Sequence, residues 1–148
     1  MNNKWDWRYL NLAKEISTWS KDPSAQIGSV VVGSEGRVLA TGYNGFPRGI
    51  VDTQDRLFNR ETKYKYVVHA EMNCIYNASA HGVSLQGSTM YVYGLPVCSE
   101  CAKGVIQAGI SRVVYTHQYN IPERWIESAE CSREMFAEAG IDFNYISE

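Results

Sequence analysis

The sequence predicts an α/β domain, a mixed five-stranded sheet covered by helices. Two observations point there. Stretches with apolar residues at helical spacing alternate with short runs rich in β-branched and aromatic residues, and glycines fall where the helical patterns stop. The resulting order, α-β-β-α-β-α-β-α-β, opens with a hairpin and continues as alternating strands and helices.

Each element follows from its residues. Trp5, Tyr9, Leu12, Ala13, Ile16 and Trp19 recur at helical spacing, so residues 5–19 read as an amphipathic helix with that stripe in the core. Ile27 to Val32, the turn Ser34-Glu35-Gly36 and Val38 to Thr41 read as a β-hairpin. A long polar connection follows from Tyr43 to about Lys65, and loops of that length inside a compact domain are usually functional. Residues 69–80 suit a helix ending near Gly82, and Thr89 to Tyr93 a short strand. Cys98 to Ala108 forms a helix stopped by Gly109, Arg112 to Thr116 the next strand, Trp125 to Ala139 a helix stopped by Gly140, and Ile141 to Ile146 the last strand.

Composition narrows the class. The 148 residues are 45% apolar and 20% charged, enough for one sizeable core and too apolar for disorder, and no repeat or linker divides them. A net charge of −2 argues against a nucleic-acid partner, which favours a basic surface. No apolar run approaches 18 residues and the N-terminus is not signal-like, so the expectation is a cytoplasmic protein with no membrane partner. Two of the four cysteines sit in a C-x-x-C beside a proline, which favours metal binding over disulfides; Cys74 and Cys131 read as buried free thiols.

The chemistry sits in two segments, His69-Ala70-Glu71 and Pro96-Val97-Cys98-Ser99-Glu100-Cys101. One imidazole and two thiols give a zinc ion three protein ligands and leave one coordination position for water, as in catalytic rather than structural sites. Both segments fall at helix starts, where the helix dipole favours the thiolate forms of Cys98 and Cys101. Glu71 is two residues from His69, so His69 must lie at the mouth of its helix for Glu71 to face water at the metal and move protons. Zinc lowers the pKa of bound water from about 15.7 to about 7. The N–H of Ala70 at the helix start suits an acceptor oxygen of a bound ligand. A non-catalytic zinc staple is the competing reading, but it has no use for Glu71 and wants a fourth ligand. His81 reads as a solvated helix cap, and His117 as a surface or cleft residue.

The H-x-E…P-C-x-x-C pattern resembles the signature of zinc-dependent nucleobase deaminases. More specifically, the chain resembles the deoxycytidylate (dCMP) deaminases of the cytidine deaminase-like superfamily. The match covers S-K-D-P-S-A-Q-I-G (20–28), G-Y-N-G-F-P-R-G (42–49), K-Y-K-Y-V-V-H-A-E-M-N (63–73), the C-x-x-C helix and F-A-E-A-G-I (136–141). The resemblance implies a three-layer α/β/α fold over residues 1–148 as one deaminase domain. It implies hydrolysis of dCMP to dUMP for thymidylate synthesis, with His69, Cys98 and Cys101 as ligands of one Zn2+ and Glu71 as proton shuttle. It also implies a homohexamer activated by dCTP and inhibited by dTTP, Mg2+ accompanying a triphosphate effector. Asn44 would contact the deoxyribose or an effector, with Tyr43 and Gly45 as further effector candidates. Many relatives have proline directly before the first cysteine; here Val97 intervenes and lengthens the turn by one residue.

The remaining candidates each carry two readings. Lys21 and Arg48 are phosphate contacts or solvated charges. Ser24 is a phosphate contact or a turn cap. Tyr66, like Tyr64, stacks on the base or packs in the core. Asn44 is a ligand contact or an αL turn residue. The rival functions are deamination of dCTP, deoxycytidine or a tRNA adenosine, and a zinc-stapled nucleotide-binding protein without activity.

Overall fold

The computed structural model describes residues 4–117 and 120–147. In chain order the elements are α1 (Lys4–Ser17), β1 (Gly28–Val32), β2 (Val38–Tyr43), α2 (Gln54–Phe58), α3 (Arg60–Tyr66), α4 (Ala70–Ala80), β3 (Thr89–Gly94), α5 (Ser99–Gln107), β4 (Arg112–His117), α6 (Glu123–Ala139) and β5 (Asp142–Tyr145). The sheet runs β2-β1-β3-β4-β5. β1 pairs antiparallel with β2 and β3, whereas β3, β4 and β5 run parallel, as the crossover helices α5 and α6 require.

Strand alternation divides the core between the two faces. Val30, Val32, Tyr91, Tyr93 and Val114 point to one side and pack with Leu10, Ala13 and Ile16 of α1. Val31, Met90, Val92, Val113 and Tyr115 point to the other, against α4, α5 and α6 through Ala70, Cys74, Cys101, Val105 and Phe136. The α/β/α expectation holds. No helix among the described residues is long and apolar enough to cross a membrane.

Three local expectations need correction. The buried stripe of α1 is Asp6, Leu10, Ala13, Ile16 and Ser17, while Trp5 and Trp19 are about half exposed at 51% and 54%. The helix is rotated relative to the apolar count because Asp6 goes inside, where Arg112 grips both carboxylate oxygens at 2.9 and 3.0 Å and Tyr91 donates at 2.7 Å. The connection after β2 is not a plain loop. It carries α2 and α3, whose first turns are capped by Thr53 Oγ1 on the Arg56 N–H and Asn59 Oδ1 on the Thr62 N–H. Finally, Cys74 is buried as expected but Cys131 is exposed, because α6 turns that position away from the sheet.

Val97, between the proline and the first cysteine, is buried. Its side chain is fully enclosed in the core beneath α4, α5 and α6, so the turn at 94–98 is packed.

Candidate active site

Two helix starts converge at the carboxyl end of β3. His69 is the N-cap residue of α4 and Cys98 that of α5, and neither side chain caps its own helix. His69 Nδ1 lies 3.4 Å from Cys98 Sγ and 3.4 Å from Cys101 Sγ. The three donor atoms fall within 4.8 Å of one another, and no other His, Cys, Asp or Glu among the described residues joins them. Donors held about 2.0–2.1 Å (N) and 2.3 Å (S) from a tetrahedral zinc are about 3.6 Å apart, so this set fits the ion with one position left over.

The electrostatics agree with a cation site. Hydrogen bonds from Cys101 and His69 hold the Cys98 thiol well below its usual range despite burial. The same hydrogen bond with Cys98, and burial, push Cys101 upward. His69 is raised by its bond to Cys98 and lowered in part by burial. Trp125 of α6 lies against the His69 ring, centroids 5.7 Å apart, and its indole N–H donates to Pro96 O at 2.7 Å.

A cavity of about 380 Å3 opens over this cluster, within the ~300–1,000 Å3 range of small-molecule sites. His69, Ala70, Glu71 and Trp125 line it, with Ser24, Asn44, Arg60, Lys63, Tyr64 and Arg124 among the surrounding groups. Glu71 is 3% exposed, and burial together with the Cys98 charge pushes its carboxyl up to about 7. A carboxyl titrating near neutrality beside a solvent-filled cleft can both take and give a proton.

Asn44 is 6% exposed and is not an αL turn residue. Its side-chain oxygen accepts from the Ile27 N–H at 2.9 Å and its amide donates to Ala25 O at 2.9 Å, fixing the 25–27 wall of the cavity. Asp22 fixes the neighbouring turn by accepting from the Ser24 and Ala25 N–H groups, and is itself held by buried Lys63 at 3.1 Å.

Other candidates lie elsewhere. Lys21 pairs with Asp52 at 3.0 Å beside a second cavity of about 130 Å3, which Tyr43 and Gly45 also line and which shares Asp22, Asn44 and Val67 with the first. Arg48 donates to Asn77 Oδ1 at 2.6 Å on the rim of a third, where Tyr43 and Gly45 recur. Tyr66 packs on Phe46 beneath Arg56 and does not line the first cavity. His117 stacks on Tyr145, and His81 ends α4. Besides Lys63, which pairs with Asp22, the first cavity carries the cations Arg60 and Arg124, whose place there was not legible in sequence. Arg124 follows Pro122 by two residues at the start of a helix, and no local pattern aims it at a site sixty residues earlier.

Known proteins resemble this chain in sequence and in fold. A family model for the cytidine and deoxycytidylate deaminase zinc-binding region matches residues 3–117. A deaminase from the luxG 3′ region of Aliivibrio fischeri is 37% identical over 147 residues, covering 99% of this chain and 96% of that protein. Human deoxycytidylate deaminase is 36% identical over 150 residues, covering 95% of this chain and 78% of its own. Among solved structures, the dCMP deaminase of cyanophage S-TIM5 in complex with dCMP and dUMP has the same fold, with a TM-score of 0.78 at 24% identity over 99% of both chains. With a His/Cys/Cys cluster, a buried glutamate and a matching family model over most of its length, the chain belongs to the cytidine and deoxycytidylate deaminase family of enzymes.

Proposed function

We propose that the chain hydrolyses dCMP to dUMP and ammonia, with His69, Cys98 and Cys101 holding one zinc ion and Glu71 moving the protons. The observation that carries this reading is one cavity lined by His69 of the metal-binding trio, by Glu71 and by two arginines, Arg60 and Arg124. Neither Arg60 nor Arg124 has a carboxylate within ion-pair distance among the described residues. An anionic group at the outer end of a substrate supplies that partner. The relatives named deoxycytidylate deaminase and the phage enzyme crystallised with dCMP and dUMP support the same substrate.

Zinc at this site supplies Lewis acidity, which brings the pKa of water to about 7. Glu71 accepts a proton from the attacking water and delivers protons to the ring nitrogen and then to the departing amine, so one water is consumed and one ammonia released. The Ala70 N–H, one of the unpaired donors in the first turn of α4, takes the pyrimidine O2. Trp125 and Tyr64 flank the base, and Arg60 and Arg124 bind the 5′-phosphate in place of Lys21 and Arg48.

In the same reading residues 1–148 act as one domain of a cytoplasmic homo-oligomer. A dCTP or dTTP effector with its Mg2+ occupies the region of the second cavity, around Lys21, Tyr43 and Gly45, whose wall is shared with the first. Ammonia release from dCMP, dCTP, deoxycytidine and tRNA, each with and without dCTP and dTTP as effectors, tests the proposal. dCMP is expected to have the highest kcat/KM. Faster turnover of tRNA or of the free nucleoside would overturn it.

A further inference from the structure

Helix N-termini leave their first N–H groups without partners, and a Ser, Thr, Asp or Asn side chain at the N-cap normally takes one of them. α5 has Cys98 in that place, whose sulfur faces His69 instead. The missing cap comes from another helix. The Ser99 N–H donates to Ser128 Oγ at 2.8 Å. One turn along α6, Ser132 Oγ donates to Val97 O at 2.8 Å, and Trp125 Nε1 donates to Pro96 O at 2.7 Å. Positions 125, 128 and 132 share one face of α6. Three polar groups on that face therefore meet three backbone groups within the four residues 96–99.

The surroundings make these bonds specific. Ser132 and Val97 are both fully buried, in a region where α5 and α6 otherwise meet through apolar side chains. A hydroxyl in such a place is unfavourable unless it is bonded, and the backbone carbonyl it serves is under the same demand.

We propose that Ser128 and Ser132, together with Trp125, are positioning residues that hold the Pro96–Ser99 turn so that Cys98 Sγ and Cys101 Sγ meet His69 Nδ1 around one metal ion. The inference rests on the reading of these three residues as metal ligands. It assigns α6, which contributes no ligand, the task of setting ligand geometry. Outer-shell groups of this kind commonly change metal affinity by about 10–100-fold.

The test is Co2+ binding to the metal-free full chain, followed by thiolate-to-cobalt charge-transfer and d–d absorbance and by competition with a chromophoric chelator. Circular dichroism and thermal melting monitor the fold. Ser128→Ala and Ser132→Ala are each expected to weaken Co2+ binding by about 10-fold or more and to shift or broaden the d–d bands. Ser128→Thr, which keeps the hydroxyl, restores both. Phe136→Leu loosens α6 against the core without touching the turn, so it lowers the melting temperature and leaves affinity and spectrum as in the wild type. Should Ser132→Ala not fold, Ser128→Ala against Ser128→Thr decides. Wild-type affinity and spectrum in the alanine variants, or an equal loss in Phe136→Leu, would overturn the proposal. Absence of a thiolate charge-transfer band in the wild type would instead overturn the ligand assignment beneath it.

Discussion

Gly42→Ala is the substitution whose effect the geometry fixes most directly. Gly42 lies in β2, and a Cβ there would sit 2.4 Å from Cys74 N, 2.6 Å from Ala70 O and 2.9 Å from Asn73 C. All three atoms are backbone of α4, so no rotamer change relieves the contact. Ordinary contact begins at 3.4 Å, which requires β2 and α4 to separate by roughly 1 Å. Overpacking usually costs ~1–3 kcal/mol, and a backbone clash belongs at the upper end. At ~2–4 °C per kcal/mol for a chain of about this size, the melting temperature falls by roughly 6–12 °C. The moving helix carries Ala70 and Glu71 in its first turn, and a misplacement of ~1 Å in catalytic groups can cost ~10²-fold in rate. Thermal melting of the zinc-loaded protein and kcat/KM for dCMP measure the two effects. Gly45→Ala, whose Cβ meets nothing closer than 3.8 Å, serves as the control for melting temperature alone. A Gly42→Ala protein that melts and turns over like the wild type would refute the argument.

Four further outcomes are expected. Glu71→Gln keeps zinc and fold while kcat for dCMP falls by about 10²–10⁴-fold, checked by ammonia release alongside metal content. Cys98→Ala loses both zinc and thermal stability, read by metal analysis and melting. Arg60→Ala and Arg124→Ala raise KM for dCMP by about 10–100-fold, at ~1.5–3 kcal/mol per charge-assisted contact, and leave deoxycytidine turnover unchanged; parallel loss on both substrates would place these residues elsewhere. Burial opposes ionisation of Asp6, but the bonds from Arg112 and Tyr91 and the guanidinium charge outweigh it and hold the carboxyl below its usual range. Its stabilisation is thus complete above the ordinary aspartate value of about 3.9 and is lost as pH falls through the lower folded-state value. Urea unfolding of wild type and Asp6→Asn should show a gap at pH 7 that closes in acid, and a constant gap would contradict this.

The contrast between the legible and the illegible is clearest in α1 and α6. In α1 the apolar count favours Trp5 and Trp19 as core, yet Asp6 is buried in their stead, because a partner 106 residues away neutralises it. The caps of α2 and α3 were present in sequence as Thr53 and Asn59, hidden within a polar stretch that also suits a loop. In α6 the serines at 128 and 132 look like ordinary solvated helix residues, and only the packing against α5 turns them toward the Pro96–Ser99 turn.

By itself the sequence determined the sheet and its helices, through side-chain periodicity, and it marked the site through two short spacings, H-x-E and C-x-x-C, each held at one helix start, while the fold carried His69 to the cysteines across 29 and 32 residues. Tertiary structure alone decided which cations rim the cavity, why Asn44 is buried, and what steadies the cysteine turn. Those contacts join residues tens of positions apart, and a side chain's partner at that range is set by how helices and strands pack rather than by any pattern along the chain.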